Sequence, residues 1–129
     1  MIQDGVLVDT PVLIDFFRGQ GTAAEAVTDL LQKNHVVITG IIIAELLQGM
    51  KNLKEEFALE ELLSATHQLE VTNNTWLRAG KLALSLRRMR INLPLTDVAI
   101  AALALKHDFS ILTNDKHFEQ IPGLKIYSR

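Results

Sequence analysis

Short runs of β-branched residues alternate along this chain with longer stretches of helical periodicity. The runs that predict strands are 5–8, 36–38, 68–72, 110–113 and 124–127. The stretches that predict helices are 12–17, 22–33, 40–50, 53–63, 73–90 and 96–107, with a short helical turn at 116–120. Strands separated by helices are typical of an α/β fold with a mainly parallel sheet. With 129 residues and no linker or repeat, the chain predicts one domain.

Several helix ends and faces can also be predicted. Asp9 or Thr10 caps the first helix ahead of Pro11, Thr22 caps the second, and Asn73 and Asn74 cap the fifth. The stretch 40–50 is so continuously apolar that it predicts a buried helix. The stretch 53–63 is amphipathic, and the residues expected on its buried side are Leu53, Phe57, Leu59, Leu62 and Leu63.

Composition excludes several classes of protein and site. The chain has no cysteine, which excludes disulfides, zinc fingers, iron–sulfur sites and thiol nucleophiles, so any metal must be bound by oxygen or imidazole. No apolar run reaches the roughly 20 residues that cross a bilayer. The start of the chain lacks the basic and apolar regions of a signal peptide, so we expect a cytoplasmic protein without a membrane partner. A net charge of −2 and 5% aromatic residues disfavour nucleic-acid binding by bulk charge or base stacking.

Four acidic residues occupy positions that ordinary surface carboxylates rarely take. Asp9 and Asp115 each follow a predicted strand directly, and α/β sheets bind ligands outside the carboxyl ends of their strands. Glu45 interrupts the apolar stretch 40–50, where an unpaired buried carboxylate would be costly. Asp97 opens an alanine-rich helix. Oxygen ligands converging in this way suit Mg²⁺ or Mn²⁺.

Each of these acids also has an ordinary interpretation. Asp9 and Asp97 could be helix caps, and Asp115 could be a turn residue. A phosphatase of the haloacid-dehalogenase type would also place an acid after the first strand, but it needs a second aspartate where this chain has Pro11. A receiver domain needs an acidic pair near the first strand and a late lysine, and neither is seen.

Four segments together carry a family resemblance. They are Val-Asp-Thr-Pro-Val-Leu-Ile-Asp at 8–15, Ala-Glu-Leu at 44–46, Pro-Leu-Thr-Asp at 94–97 and Leu-Thr-Asn-Asp-Lys-His-Phe at 112–118. In this order and spacing, the chain resembles a PIN-domain ribonuclease of the VapC toxin type, from type II toxin–antitoxin systems. The resemblance implies a single PIN domain over 1–129, with a three-layer α/β/α fold and a mainly parallel five-stranded sheet.

The resemblance also implies a site and a reaction. Asp9, Glu45, Asp97 and Asp115 would hold Mg²⁺, with Mn²⁺ as the alternative, for endonucleolytic hydrolysis of RNA by metal-activated water. Glu45 could be a ligand or the base toward the water. Thr113 matches a small hydroxyl position beside the fourth acid. His117 stands where many relatives carry a further acid, which leaves open whether one or two ions bind.

The implied partners are RNA, a cognate antitoxin and a second copy of the chain. Four carboxylates repel a phosphate backbone, so basic residues must hold the RNA. The stretch between Glu70 and Asp97 contains no acid. The candidate RNA contacts are Arg18, Arg78, Lys81, Arg87, Arg88 and Arg90. The alternative function is a non-catalytic PIN-fold scaffold or dimerisation module.

Overall fold

The computed structural model describes residues 2–128 and contains one five-stranded sheet within them. The strands are β1 (Val6–Val8), β2 (Val36–Thr39), β3 (His67–Leu69), β4 (Ser110–Leu112) and β5 (Lys125–Ile126). Their order is β3-β2-β1-β4-β5, and every neighbouring pair is parallel. Strands β1 and β2 are buried along their whole length, as expected where helices cover both faces of a sheet.

Six α-helices connect the strands. They are α1 (Thr10–Phe17), α2 (Ala23–Gln32), α3 (Gly40–Gln48), α4 (Leu53–Ser64), α5 (Asn73–Arg88) and α6 (Leu95–His107), and a 3₁₀ turn covers Lys116–Gln120. Helix α1 packs on α2 and α3, while α5 packs along α6. The chain moves outward from β1 to β3 and then returns past β1 to β4. Because parallel crossovers are right-handed, this reversal puts the two helix groups on opposite faces of the sheet. The predicted α/β/α fold is confirmed.

The reversal of direction also creates a switch point between β1 and β4. At such a point the connections leave two neighbouring strands in opposite directions, so a crevice opens at the carboxyl ends of the strands. Val8 pairs with Leu112 in the register of these strands. The residues that follow, Asp9 and Thr113, therefore lie side by side at the crevice.

Helix α6 fills the core behind this crevice. Every residue from 98 to 104 is buried, so the helix is apolar on all sides, as helices inside a core are. Its alanines let the backbone lie close to its neighbours. This packing fixes the first turn of α6, which carries Asp97. No helix within residues 2–128 has the length and apolar character needed to cross a membrane.

The structure corrects the predicted start of α1 and the predicted capping of α5 and α2, while Asp9 is confirmed as the cap of α1. Helix α1 begins at Thr10 rather than at 12, because the Asp9 side chain accepts the first free backbone N–H. Thr72, and not Asn73 or Asn74, caps α5 through a hydrogen bond from the Thr75 N–H. The side chain of Thr22 makes no capping hydrogen bond at the start of α2. Strand β3 also ends at Leu69 rather than at 72.

The predicted burial of α3 and α4 is correct only in part, since Leu59 and Leu62 of α4 are buried as predicted. Only Ile42 and Leu46 of α3 are buried. On α4, Leu53 is 81% exposed and Phe57 is 62% exposed. Helix α4 packs on the body through α3, so only a narrow side of each helix reaches the core. An apolar sequence shows which residues could be buried, but the surface available to cover them decides which are.

Candidate active site

Asp9 is fixed at the carboxyl end of β1 by the start of α1. Its Oδ1 accepts a hydrogen bond from the Thr10 backbone N–H at 2.9 Å. Its own backbone N–H donates to the Leu112 carbonyl at 2.9 Å, which continues the β1–β4 pairing by one residue. Asp9 is only 7% exposed. The sequence therefore places a carboxylate at the crevice and holds it by the same bond that caps the helix.

Thr113 fixes the backbone of Asp115, the other acid of the switch point, and His117 contacts its carboxylate. Thr113 Oγ1 donates to Asp9 Oδ2 at 2.8 Å and accepts from the Asp115 N–H at 3.0 Å. Asp115 Oδ1 accepts from the His117 N–H at 2.9 Å and lies 3.0 Å from His117 Nδ1. Asp115 is the N-cap of the 3₁₀ turn, which explains why the chain turns here. Asp9 and Asp115 are thus linked through one hydroxyl group.

Glu45 reaches the same region from α3. Its Oε1 accepts a hydrogen bond from Thr10 Oγ1 at 3.0 Å. The residue is exposed rather than buried, because α3 presents this side to solvent. The expectation that burial makes Glu45 unusual is therefore wrong. What distinguishes Glu45 is its contact with the residue next to Asp9, and its charge acts on that carboxylate.

The electrostatics of Asp9 reflect both burial and neighbouring charge. Burial is the largest effect and raises the pKa of Asp9 above its ordinary value. Hydrogen bonds from the Thr113 side chain and the Thr10 backbone lower the pKa, because they favour the charged form. The charges of Glu45 and Asp115 raise it again. Protein hydrogen bonds therefore compensate the charge of Asp9 only in part.

Asp97 shows most clearly that the four acids share one region. Burial raises its pKa, and the charges of Asp9, Asp115 and Glu45 raise it further, to about 6. The nearby His117 acts in the opposite direction. Asp97 belongs to the first turn of α6, whose core packing prevents it from moving away. The acids predicted from distant parts of the sequence act on one another in the fold.

The donor set fits a divalent ion. Mg²⁺ and Mn²⁺ prefer hard carboxylate oxygens, and the four acids provide only these. Among residues 2–128, no three Asp, Glu or His side chains already enclose a space of ion size. The carboxylates stand apart because like charges repel and because Asp9, Glu45 and Asp115 each accept a hydrogen bond from a different donor. A bound cation would offset the repulsion that raises the pKa of Asp97 and would draw the carboxylates together.

The predicted basic residues do not form one group. Arg78 and Lys81 line a concave surface together with Lys106 of α6. Arg87 lines a different groove, of about 370 Å³, beside Leu95 and Val98 at the start of α6. The groove at Arg87 is thus at the end of α6 that carries Asp97.

The other three cations are solvent-exposed at helix ends. Arg88 is the last residue of α5, and Arg90 follows it in the loop to α6. Arg18 is the C-cap of α1. It comes nine residues after Asp9, a distance of about 13 Å along a helix axis. Arg18 is therefore carried away from the carboxylates by the length of α1.

Sequence reasoning missed two threonines and a lysine. No local pattern indicates that Thr10 reaches Glu45, because that contact joins residues 35 positions apart. Thr39 lies beside Asp9 in the continued β1–β2 register, and its buried hydroxyl has no hydrogen-bond partner among residues 2–128. Strand register could have predicted this position. Lys106 could be found only once α5 and α6 were known to pack together.

Comparison with known proteins agrees over nearly the whole chain. The family model for the PIN domain matches residues 6–124. Ribonuclease VapC19 of Mycobacterium tuberculosis is 31% identical over 121 residues, covering 92% of this chain and 96% of that protein. Ribonuclease VapC of Rickettsia bellii is 31% identical over 132 residues, covering 95% and 94%. A chain of a toxin–antitoxin complex from Klebsiella pneumoniae superposes with a TM-score of 0.73 at 26% identity, covering 97% of this chain and 100% of that chain.

Proposed function

Because this chain belongs to the PIN-domain family and its relatives are VapC ribonucleases, we propose that it is a magnesium-dependent endoribonuclease, the toxin of a toxin–antitoxin pair. The observation that carries this proposal is the grouping of acids at the switch point. Asp9 follows β1, Asp115 follows β4, and both raise the pKa of Asp97. Such a group is most useful to a protein that binds a cation between the carboxylates. Mn²⁺ has the same ligand preference and is the alternative ion.

Asp9, Glu45, Asp97 and Asp115 would hold the metal. When bound, Mg²⁺ supplies a more acidic water and offsets negative charge on the phosphate. The threonine hydroxyls fix the carboxylates in advance, because Thr113 holds Asp9 and Thr10 holds Glu45. Burial of Asp9 excludes solvent from one side of the group. The protein would thus contribute fixed oxygen ligands, with the charge of Asp9 only partly compensated by its hydrogen bonds.

The proposed reaction is hydrolysis of an RNA phosphodiester bond by water, which leaves a 5′-phosphate and a 3′-hydroxyl. The proposed substrates are exposed loops of tRNA or ribosomal RNA. Basic residues must offset the repulsion between carboxylates and phosphate. The proposed backbone contacts are Arg18, Arg78, Lys81, Arg87, Arg88 and Arg90.

Two protein partners belong to the proposal. The Klebsiella pneumoniae relative is part of a toxin–antitoxin complex, which supports a cognate antitoxin for this chain. A second copy of the chain is the other proposed partner. Leu53 and Phe57 expose large apolar side chains on α4, and neighbouring exposed apolar residues of this size favour a protein contact. Leu46 of α3 is buried and is therefore unavailable for such a contact.

A cleavage assay tests the function. A folded RNA with several loops is incubated with the purified protein in millimolar Mg²⁺ or in EDTA, and the new ends are mapped. We expect internal cuts with 5′-phosphate ends in Mg²⁺ and none in EDTA. Cleavage that continues in EDTA would contradict the metal dependence. An intact RNA under both conditions would favour the non-catalytic scaffold.

A further inference from the structure

A concave surface with three cations lies between α5 and α6, and we call it the distal cationic pocket. It has a volume of about 300 Å³ and is lined by Asn74, Thr75, Leu77, Arg78, Lys81 and Lys106. Half of the lining residues are basic and none is acidic. Two consecutive helices bring these charges together, with Lys106 of α6 lying 25 and 28 residues after Lys81 and Arg78 of α5. The pocket therefore carries a concentrated positive charge on a chain whose net charge is −2.

Within residues 2–128, the three cations of the distal cationic pocket take part in no ion pair. Arg78, Lys81 and Lys106 are all exposed. The ion pairs among residues 2–128 join His117 to Asp115 and Lys125 to Asp108, and neither involves the pocket. Close cations without acidic partners repel one another. This repulsion is relieved by an anionic ligand.

The pocket is continued by a polar stripe along α5. Asn74, Arg78, Lys81, Ser85 and Arg88 follow one another at spacings of four and three residues, which places them on one side of a helix. All five are exposed. The stripe therefore extends the cationic surface from the pocket to the last turn of α5.

The far end of the stripe lies in the last turn of α5, which is close to the start of α6. The last turn of α5 and the first turn of α6 line one groove, through Arg87, Leu95 and Val98. Asp97 is in that first turn of α6. Lys106 follows Asp97 by nine residues, which is about 13 Å along the helix. At about 3.4 Å per stacked nucleotide, this distance corresponds to about four nucleotides.

We propose that the distal cationic pocket is a second binding site for the phosphodiester backbone of single-stranded RNA, about four nucleotides from the bond that is cut. The inference rests on the proposed ribonuclease function, but it concerns affinity rather than the chemistry at the carboxylates. Arginine and lysine side chains on a regular stripe suit a repeating backbone charge. Such contacts position a strand without reading its sequence.

Two measurements test the pocket. The first is the binding of fluorescein-labelled U30 in EDTA, followed by anisotropy from 50 to 200 mM salt. The test variant is Arg78→Glu/Lys106→Glu, and the matched control is Lys33→Glu/Lys54→Glu, which changes the net charge equally at exposed lysines outside the pocket. The second is cleavage, in Mg²⁺, of a 30-nucleotide RNA that the wild type cuts and of the same RNA trimmed to three nucleotides on each side of the cut.

We expect the test variant to bind U30 about tenfold more weakly, with a salt slope smaller by about 1.4 for two lost phosphate contacts. Its KM for the long RNA should rise by a similar factor, while its kcat/KM should fall several-fold less on the trimmed RNA than on the long RNA. The milder Arg78→Gln/Lys106→Gln variant should move in the same direction. Because glutamine is neutral, weaker binding by this variant would come from the lost cationic contacts and not from repulsion of RNA by new carboxylates.

Equal weakening in the control variant would overturn the proposal, because bulk charge would then explain the loss. Equal loss of cleavage on the long and trimmed RNAs would also overturn it, since the pocket would not be separate from the site of cleavage. A wild-type protein that cuts no RNA, but binds U30 through the pocket as expected, would refute the proposed ribonuclease function and support the binding site.

Discussion

Thr113 donates a hydrogen bond to Asp9 Oδ2 at 2.8 Å and so joins the end of β4 to the end of β1. The same hydroxyl accepts a hydrogen bond from the Asp115 N–H at 3.0 Å. One side chain therefore sets the positions of two of the four acids. The bond to Asp9 also lowers the pKa of that carboxyl group, which favours the charged form that a cation requires.

Replacing Thr113 by valine should therefore affect both stability and the charge of Asp9. Thr113→Val removes the hydrogen-bond partner of Asp9 Oδ2 and of the Asp115 N–H, which should lower the free energy of unfolding by about 1 to 3 kcal/mol. The pKa of Asp9 should rise. Urea unfolding and NMR titration of the carboxyl carbons measure the two effects. Thr113→Ser keeps the hydroxyl and serves as the control, and an unchanged pKa of Asp9 in the valine variant would contradict the account.

The raised pKa of Asp97 predicts how stability without metal depends on pH. A group whose pKa rises on folding, here from 3.8 to about 6, stabilises the protein at low pH and loses that contribution as pH rises through about 6. The shift corresponds to about 3 kcal/mol at most, and solvent screening of the half-buried group reduces this to about 1 kcal/mol. Stability in EDTA should thus fall between pH 4.5 and pH 7.5.

Asp97→Asn isolates this contribution, because the amide resembles the protonated acid at every pH. Relative to the wild type, the variant should gain about 1 kcal/mol of stability between pH 4.5 and pH 7.5 in EDTA. Urea unfolding of both proteins at the two pH values provides the comparison. A stability difference that stays constant with pH would show that Asp97 does not titrate in the folded state as its surroundings indicate.

Metal binding should stabilise the folded protein through the same carboxylates. An ion at ten times its Kd adds about 1.4 kcal/mol, which raises the Tm of a domain of this size by about 5 °C. Thermal melts in EDTA and in Mg²⁺ should show this shift for the wild type and for Glu60→Gln, a control at an exposed acid of α4. Asp115→Asn should lose most of it. Equal shifts for Asp115→Asn and the wild type would mean that the ion binds elsewhere.

The exposed apolar side chains of α4 predict how the chain associates. If a second copy covers Leu53 and Phe57, light scattering should give the wild type twice the 14.4 kDa mass of one chain. Leu53→Ser/Phe57→Ser should give the mass of one chain. Its free energy of unfolding, measured at low protein concentration, should change by less than about 1 kcal/mol, because both side chains are mostly exposed. A double variant that keeps the dimer mass would exclude this surface from the dimer interface.

Much of the fold could be predicted from local sequence. Apolar runs predicted β1, β2 and β4 because parallel strands covered on both faces contain little else, and the less buried edge strands β3 and β5 were predicted with less accurate bounds. Asp9 and Asp115 could be placed at the crevice because each directly follows a strand, and the order of α/β sheets brings strand ends together. The alanine-rich stretch of α6 likewise indicated a helix inside the core. In these cases the residues that determine the local structure lie within a few positions of the sequence pattern that predicts it.

The exposure of Glu45, Leu53 and Phe57 to solvent could not be predicted in the same way. Burial depends on which surface a neighbouring element offers, and α3 and α4 offer each other only a narrow contact. The contact between Thr10 and Glu45 and the approach of Lys106 to Arg78 depend on the packing of whole helices. Composition shows that such residues are present, but it does not show which of them come into contact in the fold. The cation-rich region was therefore recognisable in the sequence, while its division between two surfaces was not.

The central claim is that the four carboxylates at the switch point support cleavage of RNA. The most direct measurement is the initial rate of RNA cleavage in Mg²⁺ by the wild type and by Asp97→Asn, with circular dichroism spectra confirming that both are folded. We expect the variant to lose most of the activity of the wild type, because Asp97 is the acid whose pKa responds to all three others. Cleavage by Asp97→Asn at nearly the wild-type rate would contradict the assignment of the active site.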